Sequence, residues 1–162
     1  MRAFFAAALL TLAAPPFAVS AEPMGRAQSL ASQPLAIRSG GTVHRFHVEV
    51  ARTAQEQTTG LMFRRALAGD RGMIFPMQPP RFASFWMKNT LIPLDLLFLR
   101  DGGTISSIAP MATPLSLAPI DSIEPVVAVL ELKGGEAARR GIKPGDVVTW
   151  QASPLRERPD KG

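Results

Sequence analysis

The chain has 162 residues, of which 46% are hydrophobic and 19% charged, so its size fits one domain and a wholly disordered chain is excluded. It has no cysteine, which excludes disulfides, thiolate zinc sites, thiol catalysis and lipid attachment at cysteine. The formal net charge is +5, but residues 42–151 hold 12 basic and 10 acidic residues, a net of only +2, with no cluster of Lys and Arg. We therefore predict that the protein does not bind nucleic acid.

Residues 1–21 have the pattern of a secretory signal. Arg2 is their only charge, an apolar stretch covers 3–14, and Val19-Ser20-Ala21 offers the small residues that a signal peptidase requires. The apolar stretch is shorter than the roughly 20 residues of a membrane span. We predict a cleaved signal, a periplasmic or secreted protein and no stable membrane span after cleavage; an uncleaved anchor is the alternative.

The next segment, 22–41, is rich in Ser, Gln, Gly and Pro and shows no apolar period, so we predict a flexible leader. At the other end, 152–162 is charged and contains two prolines, which predicts a disordered tail. Residues 42–151 would then form a single β domain.

Within that block the first elements are a strand and a short helix. Residues 42–52 alternate between apolar and polar, which is typical of a half-buried strand. Thr53 followed by Glu56 forms the pattern of a capping box, so a helix should begin at Thr53 and end near Gly60. A turn at 70–72 then leads into an apolar run at 73–75.

The second half of the block is predicted to be a series of short strands. We expect strands at 82–87, 92–99, 104–109, 126–132 and 147–150, with a glycine hairpin at 101–103 and one or two helical turns at 136–140. Four prolines in 110–125 predict a long, stiff loop. Six or seven short strands with one or two short helices favour a mainly β fold, a compact sandwich or barrel.

Several motifs then resemble a known family. They are Gly60-Leu61-Met62-Phe63-Arg64, Gly72-Met73-Ile74-Phe75, Phe85-Trp86-Met87-Lys88-Asn89-Thr90, Pro93-Leu94-Asp95 and Gly141-Ile142-Lys143-Pro144-Gly145-Asp146. Their order is similar to that in the bacterial and archaeal family called domain of unknown function 192, over about residues 46–150. The resemblance implies a jelly-roll-like sandwich or barrel and, often, an export signal. It implies no established activity.

Charged residues inside apolar strands are the best candidates for a site. Asp95 follows Leu94 in a run that is apolar on both faces, and Glu131 shares a strand face with Val129. A buried charge without a partner costs several kcal/mol, so each carboxylate needs a partner or a shifted pKa. Lys88 could supply that partner. The structural alternatives are an ion pair or carboxylates that accept hydrogen bonds from loop amides.

We predict a ligand-binding site formed by Trp86, Lys88, Asn89, Asp95 and Glu131 beneath the loop 110–125. Trp86 would offer a stacking face, Lys88 and Asn89 hydrogen-bond donors, and the carboxylates acceptors. Core packing of the aromatic residues is the alternative. The predicted function is non-catalytic binding of a small molecule, a sugar or a cell-envelope partner. The other hypothesis is a hydrolase in which Asp95 and Glu131 act as acid and base.

We predict no metal and no cofactor. Five methionines of the block could suit Cu(I), since thioether sulfur is a soft ligand, but they are scattered along the chain and methionine is also a common core residue. His44 and His47 are three residues apart, so on a strand they face opposite sides and cannot chelate one metal ion together.

Overall fold

A computed structural model describes residues 25–151. Its nine strands are β1 (Ser32–Ser39), β2 (Thr42–Val50), β3 (Arg71–Arg81), β4 (Ser84–Phe85), β5 (Leu94–Leu99), β6 (Ile105–Ala112), β7 (Ile120–Asp121), β8 (Val126–Lys133) and β9 (Val147–Trp150). Two short helices, α1 (Ala54–Thr59) and α2 (Glu136–Arg139), and a 3-10 turn at Asp101–Gly103 complete the elements. The predicted mainly β fold with one or two short helices is confirmed.

Seven strands form one mixed sheet in the order β6-β5-β8-β3-β2-β1-β9, and β4 pairs with β7 in a separate two-stranded sheet. The β2–β3 pair is parallel, and α1 lies in the connection between these two strands. The large sheet curls until a single bridge between Thr104 and Val147 joins its two ends. It is not a closed barrel.

Each face of the curled sheet carries its own hydrophobic core, because successive side chains of a strand point to opposite faces. The first core contains, among others, Ile37, Val48, Ile74, Leu97, Leu99, Leu130 and Leu132. The second core contains, among others, Leu61, Met73, Phe75, Met77, Met87, Leu96, Phe98 and Val129. Strands β5 and β8 contribute side chains to both cores, which explains why both of their faces are apolar in the sequence.

The predicted helix start is confirmed in atomic detail. The Thr53 side chain accepts a hydrogen bond from the Glu56 backbone N–H at 3.1 Å, and the Glu56 carboxylate accepts one from the Thr53 N–H at 2.9 Å. These two bonds satisfy amides that the first turn of a helix leaves free. The backbone N–H groups of Thr53 and Arg52, which both donate to the Glu56 carboxylate, lower the pKa of Glu56. Gly60 forms the C-cap with a φ of 47°.

The prediction of a flexible leader over 22–41 is wrong for the part that forms β1. Strand β1 lies between β2 and β9 in the sheet, and its Leu35 and Ile37 are buried in the first core. In β1 the alternation of apolar and polar residues includes only two buried apolar side chains, and Pro34 precedes them. This alternation is too short to predict a strand from the sequence. The β domain therefore begins before residue 42.

Two other predicted elements differ in extent. The strand expected at 82–87 is reduced to β4, since the chain at 86–93 turns through irregular structure. The first residues of the loop expected at 110–125 belong to β6, and the loop also contains β7.

None of the helices between residues 25 and 151 is long and apolar enough to cross a membrane. The predicted signal at 1–21 and tail at 152–162 lie outside the described residues.

Candidate functional site

An open cleft of about 400 Å³ lies between α1 and the chain around β4, and we call it the aromatic cleft. The ring centroids of Phe75 and Phe85 lie 5.1 Å apart in an edge-to-face arrangement. The lining comes from α1 and the turn after it, from β3, from the segment 81–86, and from Thr90 and Glu131. The lining residues include Gln57, Thr58, Thr59, Met62, Phe75, Met77, Arg81, Phe82, Ser84, Phe85, Trp86, Thr90 and Glu131.

Glu131 is the buried acidic residue of this cleft. On β8 it lies opposite Met73 of β3 and Leu96 of β5, so its side chain points to the face of the second core. Only 5% of the residue is exposed. Burial among apolar side chains disfavours the charged form and raises the pKa of the Glu131 carboxyl group to about 8. The carboxyl group is therefore mostly protonated at neutral pH.

Arg64 is the cation that affects the pKa of Glu131, although its ion pair is with Glu49. Its positive charge lowers the pKa of Glu131 and so opposes the larger effect of burial. The Arg64 guanidinium forms two hydrogen bonds to the Glu49 carboxylate, at 2.7 and 2.8 Å, and a third to the backbone oxygen of Gln28. Within residues 25–151 the fully buried side-chain N or O atom without a hydrogen-bond partner is the Arg64 Nε, and the Glu131 carboxyl oxygens receive no hydrogen bond from these residues.

The predicted site residues Trp86, Lys88 and Asn89 lie at or beside the cleft. The Trp86 ring is 49% exposed, and the Lys88 ammonium lies 5.3 Å from its centroid, within the range of a cation–π contact. Asn89 has a φ of 55°, a left-handed conformation that asparagine tolerates well. Its side-chain amide donates a weak hydrogen bond to the Met62 sulfur, which lines the cleft.

The structure does not bring Asp95 to this group. The Asp95 carboxylate is fully buried and accepts 2.9 Å hydrogen bonds from three backbone N–H groups, those of Met111, Gly135 and Ala137. Asp95 faces Leu132 across β5 and β8, one position from Glu131, so the two carboxyl groups point to opposite faces of the sheet. This is the loop-amide arrangement named above as the structural alternative for Asp95.

The same geometry bears on the hydrolase hypothesis. An acid–base pair needs two carboxyl groups that face one substrate. The aromatic cleft contains Glu131 but not Asp95, and no other acidic side chain lines it within the described part of the chain. The hydrolase hypothesis therefore receives no support from the structure.

The five methionines of the block remain dispersed in the structure. Met62 and Met77 line it, whereas Met73 and Met87 pack in the second core. Met111 is 55% exposed. Between residues 25 and 151, no three His, Asp or Glu side chains lie close enough together to hold a metal ion.

The sequence interpretation missed Arg64, Gln57 and the three threonines of the cleft. Arg64 belongs to the first family motif, which could have marked it as a site candidate, but its ion pair with Glu49 spans 15 residues and has no local signature. The threonines and Gln57 are ordinary polar residues in the sequence. Gln57, Thr58 and Thr59 line the cleft from α1, and Thr90 lines it from the irregular segment after β4.

Comparisons with known proteins agree with the fold. The family model of domain of unknown function 192, described as "Uncharacterized ACR", matches residues 35–150. A solved chain from Sinorhizobium meliloti 1021, described as a candidate transcription regulator, is 42% identical with a TM-score of 0.74, covering 76% of this chain and 96% of that one.

A second solved chain, a protein of unknown function from Novosphingobium aromaticivorans DSM 12444, is 46% identical with a TM-score of 0.73. That alignment covers 75% of this chain and 86% of the other. The comparison with curated proteins gives no match. Since the family model matches residues 35–150, most of the sequence, this chain belongs to the family of domain of unknown function 192.

Proposed function

We propose that the aromatic cleft binds a small organic molecule that has an apolar ring or chain and a polar head, and that the protein does so in the periplasm or outside the cell. The observation that carries this proposal is the Glu131 carboxyl group. It is buried, it has no donor from residues 25–151, and it lines an open cleft. Because Glu131 borders the open cleft, a ligand there could supply the hydrogen bonds that its carboxyl group does not receive from these residues.

The rest of the lining supports the same proposal. Ligand sites are commonly apolar and aromatic clefts of 300–1,000 Å³ with a small number of polar groups, and the aromatic cleft lies in the lower part of that range. Phe75, Phe85 and the half-exposed Trp86 would contact the apolar part of the ligand, with Glu131 at its head. Lys88 and Asn89 would act from the rim, through Trp86 and Met62.

The test uses the two tryptophans. Trp86 lines the cleft, whereas Trp150 does not, so the Trp150→Phe variant leaves Trp86 as the only fluorophore. We expect benzyl alcohol or benzylammonium to change Trp86 fluorescence saturably, and to shift the amide NMR signals of Gly60 and Thr90 but not that of Gly103, which lies elsewhere. Trp86→Ala, followed by the NMR signals because it removes the fluorophore, should weaken binding about fivefold or more, since aromatic contacts contribute about 1 kcal/mol or more. Unchanged signals with both probes would contradict the proposal.

A cell-envelope partner is the second candidate, because apolar side chains lie exposed beside the cleft. Besides Trp86, Phe82 is 67% and Leu117 66% exposed. The loop that carries Leu117 is fixed to the cleft by a 2.9 Å hydrogen bond from the Met87 N–H to the Ser116 oxygen. Exposed apolar patches often mark interaction sites. Co-sedimentation with purified peptidoglycan would favour this candidate if Leu117→Asp abolished it.

A further inference from the structure

We propose that the ligand of the aromatic cleft is an organic cation, an ammonium or guanidinium group on an apolar body, whose N–H groups bind the Glu131 carboxylate. This inference rests on the proposed function, because it names the class of ligand for the same cleft.

The side-chain donors of α1 and of Thr90 are already used by the protein, whereas those of Arg81, Ser84 and Trp86 lie at the outer rim of the cleft. The hydroxyl groups of Thr58 and Thr59 donate to backbone oxygens one turn earlier in α1, at 2.8 and 3.0 Å. The Thr90 hydroxyl donates to the Lys88 oxygen at 3.3 Å. The Gln57 amide group donates twice, to the backbone oxygens of Ala51 and Pro76. These four side chains can therefore offer a ligand only acceptors.

The apolar side chains of the lining also favour a ligand that carries positive charge and hydrogen-bond donors. The faces of aromatic rings carry the negative part of the ring quadrupole and attract cations, and thioether sulfur is a weak acceptor. Phe75, Phe85, Met62 and Met77 line the cleft together with Glu131. The walls are thus rich in acceptors and π-faces, and a ligand that supplies several N–H donors and a positive charge complements them.

The charges around Glu131 leave room for another cation. Arg64 is bound to the Glu49 carboxylate, which offsets its charge, and the strand neighbours Met73 and Leu96 are uncharged. Arg81 lines the cleft but is exposed, and Lys88 lies over the outer Trp86 ring. Ser84 is an exposed hydroxyl at the same rim. The buried part of the cleft therefore has one titratable group, Glu131.

Binding of such a cation should release a proton. In the empty cleft at neutral pH the carboxyl group carries a proton, because burial raises the pKa of Glu131 to about 8. A bound ammonium stabilises the carboxylate, so the O–H bond breaks and the proton leaves to the solvent while the ammonium keeps its own protons. Affinity should then rise as the pH increases through the pKa of Glu131.

The experiment compares three probes of one shape: benzylammonium, benzyl alcohol and phenylacetate. With the Trp150→Phe protein, we expect benzylammonium to bind about tenfold more tightly than the other two at about pH 7.5, and more tightly at about pH 9 than at about pH 6. Calorimetry in two buffers of different ionisation enthalpy should detect the released proton. Glu131→Gln should abolish both the preference and the proton release while benzyl alcohol still binds.

The control is Asp121→Asn, which removes an exposed carboxylate near the cleft and should leave the preference unchanged. If benzyl alcohol binds as tightly as benzylammonium, the cation inference is overturned while the proposed function stands. If phenylacetate binds most tightly, the ligand is an anion and the inference is again wrong. If none of the three probes binds, the proposed function itself fails. The pH series uses the protein with Glu131 intact, so the result does not depend on the folding of Glu131→Gln.

Discussion

Asp95 and Glu131 lie one register position apart on neighbouring strands, and their side chains point to opposite faces of the sheet. Asp95 is surrounded by backbone N–H donors on one face. Glu131 is surrounded by apolar side chains on the other and has no donor among residues 25–151. Two acidic residues with similar sequence surroundings thus have different environments: Asp95 holds loop amides, whereas Glu131 faces the aromatic cleft.

Asp95→Asn should destabilise the protein. The carboxylate accepts three backbone N–H groups, and an asparagine would turn an N–H₂ group toward at least one of them. We expect the free energy of unfolding to fall by roughly 3 kcal/mol, because a buried donor loses its partner and a charge-assisted bond is lost. Urea denaturation measures the change. Asp121→Asn, on an exposed residue, should be nearly neutral; equal losses in the two variants would contradict the structural role of Asp95.

The stability of the protein should decrease as the pH rises through the range in which Glu131 titrates. Since the folded pKa of about 8 lies above the unfolded value of 4.5, the folded state binds more protons between these two values. Stability from this group is therefore greatest below about pH 4.5, falls as the pH rises to about 8, and is constant above that, with a total change of a few kcal/mol.

Denaturation of the wild type and of Glu131→Gln at about pH 5, 7 and 9 tests this prediction. The variant lacks the titrating group, so it should lose less stability than the wild type over this range. It should also be the more stable protein at the highest pH. Parallel curves for the two proteins would show that Glu131 does not titrate in this range.

Removing one partner of the ion pair between Arg64 and Glu49 should be costly, because both side chains are only 15% exposed and the remaining charge would lose its partner. Arg64→Met leaves the Glu49 carboxylate partly buried without its cation, which we expect to cost roughly 3 kcal/mol of unfolding free energy. Arg64→Met combined with Glu49→Leu should recover part of that loss. A double-mutant cycle by urea denaturation measures the coupling, and additive losses would show that the two side chains act independently.

Arg64→Met should also raise the pKa of Glu131 further, since Arg64 is the charge that lowers it. The two effects can be separated, because Glu49→Gln removes the ion pair but retains the Arg64 cation. NMR titration of the Glu131 carboxyl carbon in the two single variants checks this point. A higher pKa is expected with Arg64→Met, and a lower or unchanged pKa with Glu49→Gln.

Two neighbouring glycines at the turn after β5 provide a matched pair. Gly103 has a φ of 77°, and a Cβ atom there would lie 2.2 Å from the Val148 backbone oxygen. Gly102 has a similar φ of 74° but open space around it. Gly102→Ala should therefore cost about 1 kcal/mol for backbone strain alone, whereas Gly103→Ala should cost clearly more because β9 must move. Thermal denaturation of both variants tests the difference.

The sequence predicted those elements whose signal is local. The capping box at Thr53 and the doubly apolar strands around Leu97 and Leu130 depend on neighbours in the chain, and all three appear in the structure. Strand β1 was missed because it has only two core side chains beside a proline. It is ordered by its partners β2 and β9, which lie on both sides of it in the sheet.

The site was predicted only in part for a similar reason. Trp86 and Glu131 stood out as a large aromatic residue and a charge in an apolar strand, and both line the aromatic cleft. Asp95 gave the same signal, but which face it occupies depends on register, and a shift of one residue reverses the face. The contribution of Arg64 depends on a contact between distant segments that spacing does not reveal.

The bridge between Thr104 and Val147 has a consequence for solubility. A sheet edge normally presents a row of free backbone groups to which a second chain can add its own strand. Here the backbone at the start of β6 pairs with the backbone at the start of β9. The Ile105 N–H donates to the Asp146 oxygen, and the Gly145 N–H donates to the Ile105 oxygen. The curled sheet thus shields part of each terminal strand from intermolecular pairing and so protects the protein against aggregation. The sequence has no cysteine, so no disulfide cross-link contributes to this protection.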